Sequence, residues 1–270
     1  HGAAANHAPG NGAGEGEVGD VFDPEPMAAT PRTANGAGRS RPLRRTLLGS
    51  LAALGLVASA FVVLPAQEVH AAPTTLVVNS TLDAADTNPG DGQCATGSGA
   101  CTLRAAIQEA NAVNDANIIE VPGGTYVLTS FGAAEDAAAT GDLDITSPVS
   151  IVGAGAAATI VDGNGGDRVF HLLPSIVDVE LPGGAPPDVT FSGLTIRNGF
   201  TAEDGGGVYS VTGGRLILDG VTVTGNTSTS DGGGIHAATG TLHVRNGSVV
   251  SDNEARSGGG IFNAADLNAS

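Results

Sequence analysis

The chain is long, glycine-rich and strongly acidic. Its 270 residues include 42 glycines and 3% aromatic residues, and 11 Lys and Arg against 28 Asp and Glu give a net charge of −17. Such a charge repels nucleic acids and anionic membrane surfaces, so neither is an expected partner. The scarcity of aromatic residues favours a thin core of Val, Ile, Leu and Ala over a broad globular core.

The N-terminal part carries the features of an exported protein. Residues 1–38 are rich in Ala, Gly and Pro without periodicity, which predicts a disordered low-complexity segment. Residues 39–71 combine basic residues, an apolar run and a small-residue cleavage motif, as in a secretory signal peptide. We therefore expect a secreted or cell-surface protein whose mature chain begins near Ala72. The alternative is an uncleaved membrane anchor, because the apolar run 47–64 is long enough to span a bilayer.

Residues 72–116 predict an N-terminal cap. Cys94 and Cys101 follow the export segment, and the oxidising compartment that export implies favours a disulfide between them. Apolar residues at helical spacing predict a helix from about Thr102 to Val113, with Thr102 as its N-cap. A solenoid exposes strand edges at its ends, and this short helix would cover the first of those edges.

Residues 117–270 carry a repeat that predicts an all-β solenoid. Three Gly-Gly-Gly triplets, beginning at Gly205, Gly232 and Gly258, lie 27 and 26 residues apart, with short β-branched runs between them. A repeat of this length has room for about three short strands but not for a helix, so the chain should wind into a parallel β-helix. The triplets are then turn residues. Because no polar capping repeat follows the third triplet, we also expect further chain beyond Ser270.

Two motifs resemble those of known β-helix families. Residues 101–107, Cys-Thr-Leu-Arg-Ala-Ala-Ile, resemble the Cys-Ser-Leu-Arg-Glu-Ala-Ile motif of a family of secreted bacterial proteins, and the Gly-Gly-Gly-Ile repeats resemble those of polymorphic outer membrane proteins. The resemblance runs from about Thr74 onwards and implies a right-handed parallel β-helix of the pectin-lyase-like type at or outside the cell surface. Ala105 replaces the family's Glu, which removes the capping box with residue 102. A shared fold does not determine an activity.

Four aspartates are candidate metal ligands. Asp142 and Asp144 share one strand face, and Asp162 and Asp167 flank a glycine turn. Either pair suits calcium, which prefers carboxylate oxygens, although aspartates at strand edges and turns are also common without a metal. The sequence indicates no other cofactor. Three arginines beside turns are expected to be surface ion-pair partners: Arg168, Arg197 and Arg245.

A ring follows an aliphatic residue after each glycine triplet. The three rings are those of Tyr209, His236 and Phe262. Successive strand residues face opposite sides, so if the aliphatic residues fill the core, the rings stack outside at one-coil spacing. Such a strip would suit the apolar faces of sugars. The alternatives are a ladder that only supports neighbouring coils, or the opposite register with the rings inside.

These features predict a non-catalytic, secreted or cell-surface β-helix that mediates adhesion or binds glycans or cell-surface components. Membrane contact is expected only through the N-terminal segment, if that segment is retained. The alternative is a polysaccharide lyase or glycoside hydrolase of the pectin-lyase-like fold. We favour the non-catalytic function because the sequence has no adjacent Asp-Asp pair, no Gly-His-Gly motif and no lysine.

Overall fold

The computed structural model describes residues 73–113, 115–132, 135–174 and 186–264. Within these ranges it contains eighteen strands and a single helix. The predicted low-complexity segment 1–38, the export segment 39–71 and Ala72 lie outside the described residues. In the part of the chain that is described, no helix has the length and apolar character needed to cross a membrane.

The strands form three long sheets, here named A, B and C. Sheet A contains β1 (Thr75–Val77), β2 (Asn117–Val121), β5 (Val149–Gly153), β8 (Val189–Ser192), β12 (Arg215–Asp219) and β16 (Thr241–Arg245). Sheet B contains β3 (Gly124–Val127), β6 (Thr159–Asp162), β9 (Thr195–Arg197), β13 (Thr222–Thr224) and β17 (Val249–Ser251). Sheet C contains β4 (Leu143–Ile145), β7 (Phe170–Leu172), β11 (Val208–Ser210), β15 (Ile235–Ala237) and β18 (Ile261–Asn263). A two-stranded sheet pairs β10 (Phe200–Thr201) with β14 (Thr227–Ser228).

The chain visits sheets A, B and C in turn and then begins again, which produces five coils in the described residues. Equivalent strands of neighbouring coils pair in parallel, and the step between paired residues follows the sequence repeat. Val208 pairs with Ile235, which pairs with Ile261, giving steps of 27 and 26 residues. The predicted all-β parallel β-helix is therefore confirmed.

The core is a column of aliphatic and phenylalanine side chains inside the three sheets. One inward position of sheet C is fully buried in four successive coils and is occupied by Leu143, Phe170, Val208 and Ile235. Phe170 meets Phe191 of sheet A across the core, with ring centroids 4.6 Å apart. Burial of each such side chain stabilises the fold by about 1.5–3 kcal/mol, so the column holds the coils together.

The glycine triplets are required by backbone geometry. The first glycine of the triplet has a positive φ, +73° at Gly205, a region that L side chains rarely adopt. The third glycine lies against the next coil, because a Cβ on Gly207 would come within 2.5 Å of the carbonyl oxygen of Gly234. The triplets therefore combine a turn with close stacking of backbones.

Helix α1 (Leu103–Val113) packs against β2 and β4 of the first coil. Its apolar face is buried through Leu103, Ile107 and Ala110. Thr102 is the N-cap, as predicted, since its Oγ1 accepts a hydrogen bond from the N–H of Ala105 at 3.1 Å. The helix thus begins where the sequence predicts and lies on the first coil.

Contacts to the preceding loop hold the helix in place. The Sγ atoms of Cys94 and Cys101 are 1.98 Å apart, the distance of a disulfide bond. The Glu109 carboxylate accepts hydrogen bonds of 2.6 Å from the N–H groups of Gly90 and Gly92. The loop is therefore attached to the residues just before the helix and to Glu109 within the helix.

Candidate functional site: an acidic pocket beside a ladder of rings

The structure brings together three of the four candidate aspartates. Asp142 precedes β4, Asp144 lies within β4, and Asp167 precedes β7 of the next coil. Asp142 and Asp167 line a pocket of about 340 Å³, with Asp144 buried next to them. Stacking of one coil on the next therefore concentrates negative charge at this edge of sheet C.

Asp162 lies elsewhere and has a structural role. Its carboxylate accepts hydrogen bonds from Arg197 Nε at 2.8 Å and from Asn198 Nδ2 at 3.0 Å. Burial raises the pKa of Asp162, but the hydrogen bonds from the Asn164 N–H, Asn198 and Arg197 lower it further, so the net pKa lies below its usual value. A larger, shallower pocket of about 500 Å³ adjoins Asp162, but this carboxylate is already bound to its neighbours.

Five carboxylates line the acidic pocket: Glu135, Asp136, Asp142, Asp167 and Glu203. Arg168 is the cation among them, with Nε 3.0 Å from Asp142 Oδ2 and an Nη atom 3.0 Å from Glu203 Oε2. Arg168 was expected to be a surface ion-pair partner, but only 7% of it is exposed. The guanidinium is therefore part of the pocket wall, held between Asp142 before β4 and Glu203 after β10.

Crowding of the carboxylates perturbs their ionisation. Burial, reinforced by the charge of Asp144 and only partly opposed by Arg168, raises the pKa of Asp142 to about 8. Burial also raises the pKa of Asp167, although the N–H and the charge of Arg168 oppose the shift. At neutral pH the Asp142 carboxyl therefore carries a proton for much of the time and can donate a hydrogen bond.

Four charged or titratable residues at the site were not among the predicted ones: Glu135, Asp136, His171 and Glu203. His171 pairs with Asp144 in the parallel register of β4 and β7, and its Nδ1 lies 3.4 Å from Asp144 Oδ1. Asp136, from the loop before β4, places Oδ1 3.8 Å from the same nitrogen. His171 is 27 residues after Asp144, which is the spacing between the first two glycine triplets. That spacing could have predicted that the two residues lie side by side in neighbouring coils. No comparable signal identified Asp136, because it lies in an irregular loop.

His171 is also the first ring of a ladder on the outer face of sheet C. It stacks on Tyr209 with ring centroids 5.2 Å apart, and Tyr209, His236 and Phe262 follow at 5.3 and 4.9 Å. The strand register aligns these four residues. The residues that precede the first three rings, Phe170, Val208 and Ile235, are fully buried, so the rings stand on the face opposite the core.

The ladder is less open than a row of free rings. Tyr209 and Phe262 are half-buried, but His236 is only 6% exposed, with its neighbours' rings on both sides and Asp204 Oδ2 3.3 Å from its Nδ1. The Arg168 guanidinium lies 5.3 Å from the centroid of the Tyr209 ring. Among the described residues, the more accessible rings of the ladder are thus those next to the pocket and in the coil that contains Phe262.

Fold and site together define a parallel β-helix with an acidic pocket next to a ladder of rings. Comparison of the chain with protein families, with curated proteins and with solved structures found no match.

Proposed function

We propose that this chain is a non-catalytic, secreted or cell-surface β-helix protein that mediates adhesion by binding glycans on the outer face of sheet C. The observation that carries the proposal is the continuity of the ring ladder with the acidic pocket. His171 belongs to both, and Arg168 of the pocket wall lies over the ring of Tyr209. A sugar has an apolar ring face, which stacks on aromatic side chains, and hydroxyl groups, which need hydrogen-bonding partners. The ladder and the pocket offer both kinds of contact side by side.

The charge of the pocket favours particular sugars. The acidic residues of the pocket outnumber its single arginine, so its net negative charge repels uronates and sulfated sugars, whereas carboxylates accept hydrogen bonds from hydroxyl groups and pair with ammonium groups. We therefore infer that the ligand is a neutral or amino-sugar glycan. Phe200, a half-exposed ring in the pocket lining, would offer a second apolar surface.

Binding to a glycan array tests this proposal. We expect Tyr209→Ala and Phe262→Ala each to weaken binding to the best neutral or amino-sugar glycan, and the double variant to reduce it by at least about tenfold, equivalent to ~1.4 kcal/mol. The control is Val249→Ala, which removes an exposed aliphatic side chain from sheet B and should leave binding unchanged.

The circular dichroism spectrum of each variant decides how a loss of glycan binding is interpreted. A β-rich circular dichroism spectrum with lost binding supports the glycan site. Unchanged binding by the folded double variant contradicts it. Unfolding of both single variants also contradicts it, because the rings would then be a structural ladder.

The alternative function, a polysaccharide lyase or glycoside hydrolase, is favoured by one observation. The acidic pocket gathers several carboxylates around a buried arginine, and glycoside hydrolases act with paired carboxyl groups. Incubation with uronate polymers and neutral polysaccharides, followed by detection of unsaturated products and new reducing ends, tests for turnover. Sustained product formation that is lost in Asp167→Asn would replace the adhesion proposal with an enzyme.

Export to the cell surface or the medium remains part of the proposal. It rests on the basic, apolar and small-residue pattern of residues 39–71, which lie outside the described residues. The intact mass of the exported protein should correspond to a chain that begins near Ala72. A mass that retains residues 47–64 would favour a membrane anchor instead.

A further inference from the structure

The most unusual group beside the acidic pocket is the Asp144 carboxylate. Asp144 is 0% exposed, and its Oδ2 accepts a hydrogen bond of 2.8 Å from the N–H of Ala138. Its Oδ1 is buried without a hydrogen-bond partner in the described part of the chain. A buried carboxylate oxygen is costly unless a proton, a donor or a metal ion satisfies it.

The unsatisfied oxygen faces two further ligand atoms. His171 Nδ1 is 3.4 Å away, and Asp136 Oδ1 is 3.8 Å from that nitrogen. One ligand atom from each of the three residues lies within 4.8 Å of the other two. Tetrahedral ligands bonded to zinc at about 2.1 Å lie ~3.4 Å apart, so the 3.4 and 3.8 Å separations from His171 Nδ1 need little adjustment to hold an ion.

The donor set identifies the class of ion. Calcium takes six to eight oxygen ligands, whereas an imidazole nitrogen with two carboxylates suits zinc and related first-row metals. Asp136 and His171 also line the 340 Å³ pocket, so a fourth coordination position would face a ligand. We propose that Asp136, Asp144 and His171 form a site for one divalent transition-metal ion of the zinc class, open to the acidic pocket.

The competing arrangement is a metal-free ion pair. In that arrangement His171 would contact Asp144 and Asp136 directly, with no ion between them. That arrangement leaves Asp144 Oδ1 misaligned for a hydrogen bond, although 3.4 Å separates it from Nδ1. An ion between the three atoms would satisfy both this oxygen and the nitrogen.

Isothermal titration calorimetry with ZnCl₂ tests the site on the full chain after treatment with a chelator. We expect one saturable site per chain, and a loss of affinity of at least 100-fold in His171→Ala and in Asp136→Asn. Asp136 has a largely exposed side chain in a loop, so its amide variant should fold even if His171→Ala does not. The control is His243→Ala, on sheet A, which should bind zinc like the parent chain.

Replacement of zinc by Co²⁺ supplies a second readout, since the visible spectrum of a tetrahedral Co²⁺ site would disappear in Asp136→Asn. The absence of saturable zinc binding overturns the proposal. So does zinc affinity that is unchanged in folded Asp136→Asn and His171→Ala, or affinity for Ca²⁺ equal to that for zinc. Because the titration uses the metal alone, it succeeds or fails independently of glycan binding.

Discussion

The N-terminal cap and the last three coils are stabilised in different ways. In the coils, an interaction made once is made again one repeat later. Asn226 donates from Nδ2 to Asn253 Oδ1 at 2.9 Å and to the carbonyl of Ile196 at 3.2 Å, and Asn253 in turn donates to the carbonyl of Val223 at 2.9 Å. Parallel stacking in register places equivalent residues side by side, which produces such ladders.

In the cap, each stabilising interaction occurs once. The Arg104 side chain, on α1, is completely buried. Its Nε donates to Asp83 Oδ1 at 2.6 Å, and its Nη atoms donate to the carbonyl oxygens of Ala138 and Gly141 at 3.0 and 2.8 Å. One side chain thus joins the helix, the preceding loop and the loop before β4. The coils therefore share their stability among many similar contacts, whereas the cap depends on a few.

The largest effect should follow from removing the buried guanidinium. Arg104→Met leaves the Asp83 carboxylate buried without its cation and removes a hydrogen-bond donor from the carbonyl groups of Gly141 and Asp142, whereas the Ala138 carbonyl keeps its hydrogen bond from Gln108. Breaking a buried ion pair in this way costs about 3–5 kcal/mol of unfolding free energy. Chemical denaturation, followed by circular dichroism, measures the change.

The matched control for Arg104→Met is Arg215→Met. Arg215 pairs with Asp188 at 2.7 Å on the exposed surface of a regular coil. Loss of an exposed pair should cost less than about 1 kcal/mol. Equal losses of unfolding free energy in the two variants would show that the cap does not depend on single contacts more than the coils do.

The second prediction concerns the disulfide of the cap. A bond between residues 7 apart closes a short loop, so the double variant Cys94→Ser, Cys101→Ser should lose about 2–3 kcal/mol by the chain-entropy estimate. Labelling of free thiols before and after reduction checks the bond itself. Two reactive thiols in protein from an oxidising compartment would contradict it, and an unchanged denaturation midpoint would show that the cap does not need it.

The third prediction compares equivalent glycines within the coils. A Cβ at Gly207 would lie 2.5 Å from a backbone oxygen of the next coil, whereas a Cβ at Gly260 would meet only Val250 Cγ1 at an ordinary 3.5 Å. Gly207→Ala should therefore destabilise the protein by about 1–3 kcal/mol, and Gly260→Ala by much less. Thermal denaturation of both variants tests this. Similar melting temperatures would mean that close stacking does not account for the triplets.

The smallest effect is a dependence on acid. Burial raises the pKa of Asp83, but the hydrogen bond and charge of Arg104 and the N–H groups of Ser130 and Thr129 lower it more, so the net folded-state pKa lies below 3.8. A carboxyl group with a lowered pKa contributes stability above its unfolded value and loses it as the pH falls through the folded value. The unfolding free energy should therefore decrease below about pH 3.8.

Asp83→Asn isolates this contribution. The amide does not titrate, so the variant should be less stable than the parent chain near neutral pH but should lose less stability on acidification. Parallel pH profiles for the two proteins would show that Asp83 is not responsible. The measurement would then assign the acid sensitivity to carboxylates other than Asp83.

The repeat, the helix and the paired cysteines could be predicted from the sequence because each has a local or periodic signal. The 27-residue step between glycine triplets determines which residues stack, and it extends to the Asp144–His171 pair, which the same step separates. The helix follows from apolar spacing and from Thr102 as N-cap. Periodicity also predicts the register of Tyr209, His236 and Phe262, since residues at equivalent positions of successive repeats lie side by side when the strands pair in parallel.

Tertiary structure alone decided the cap contacts and the membership of the pocket. Arg104 reaches carbonyl groups 34 and 37 residues further along the chain, and Asp136 approaches His171 from a loop outside the repeat. Neither contact has a spacing that recurs, because irregular loops follow paths set by the surfaces they pack against. The burial of Arg168 and the raised pKa of Asp142 likewise depend on how those loops close over one edge of sheet C. The repeating local sequence determined the β-helix, and packing between non-repeating segments determined which side chains meet at the acidic pocket.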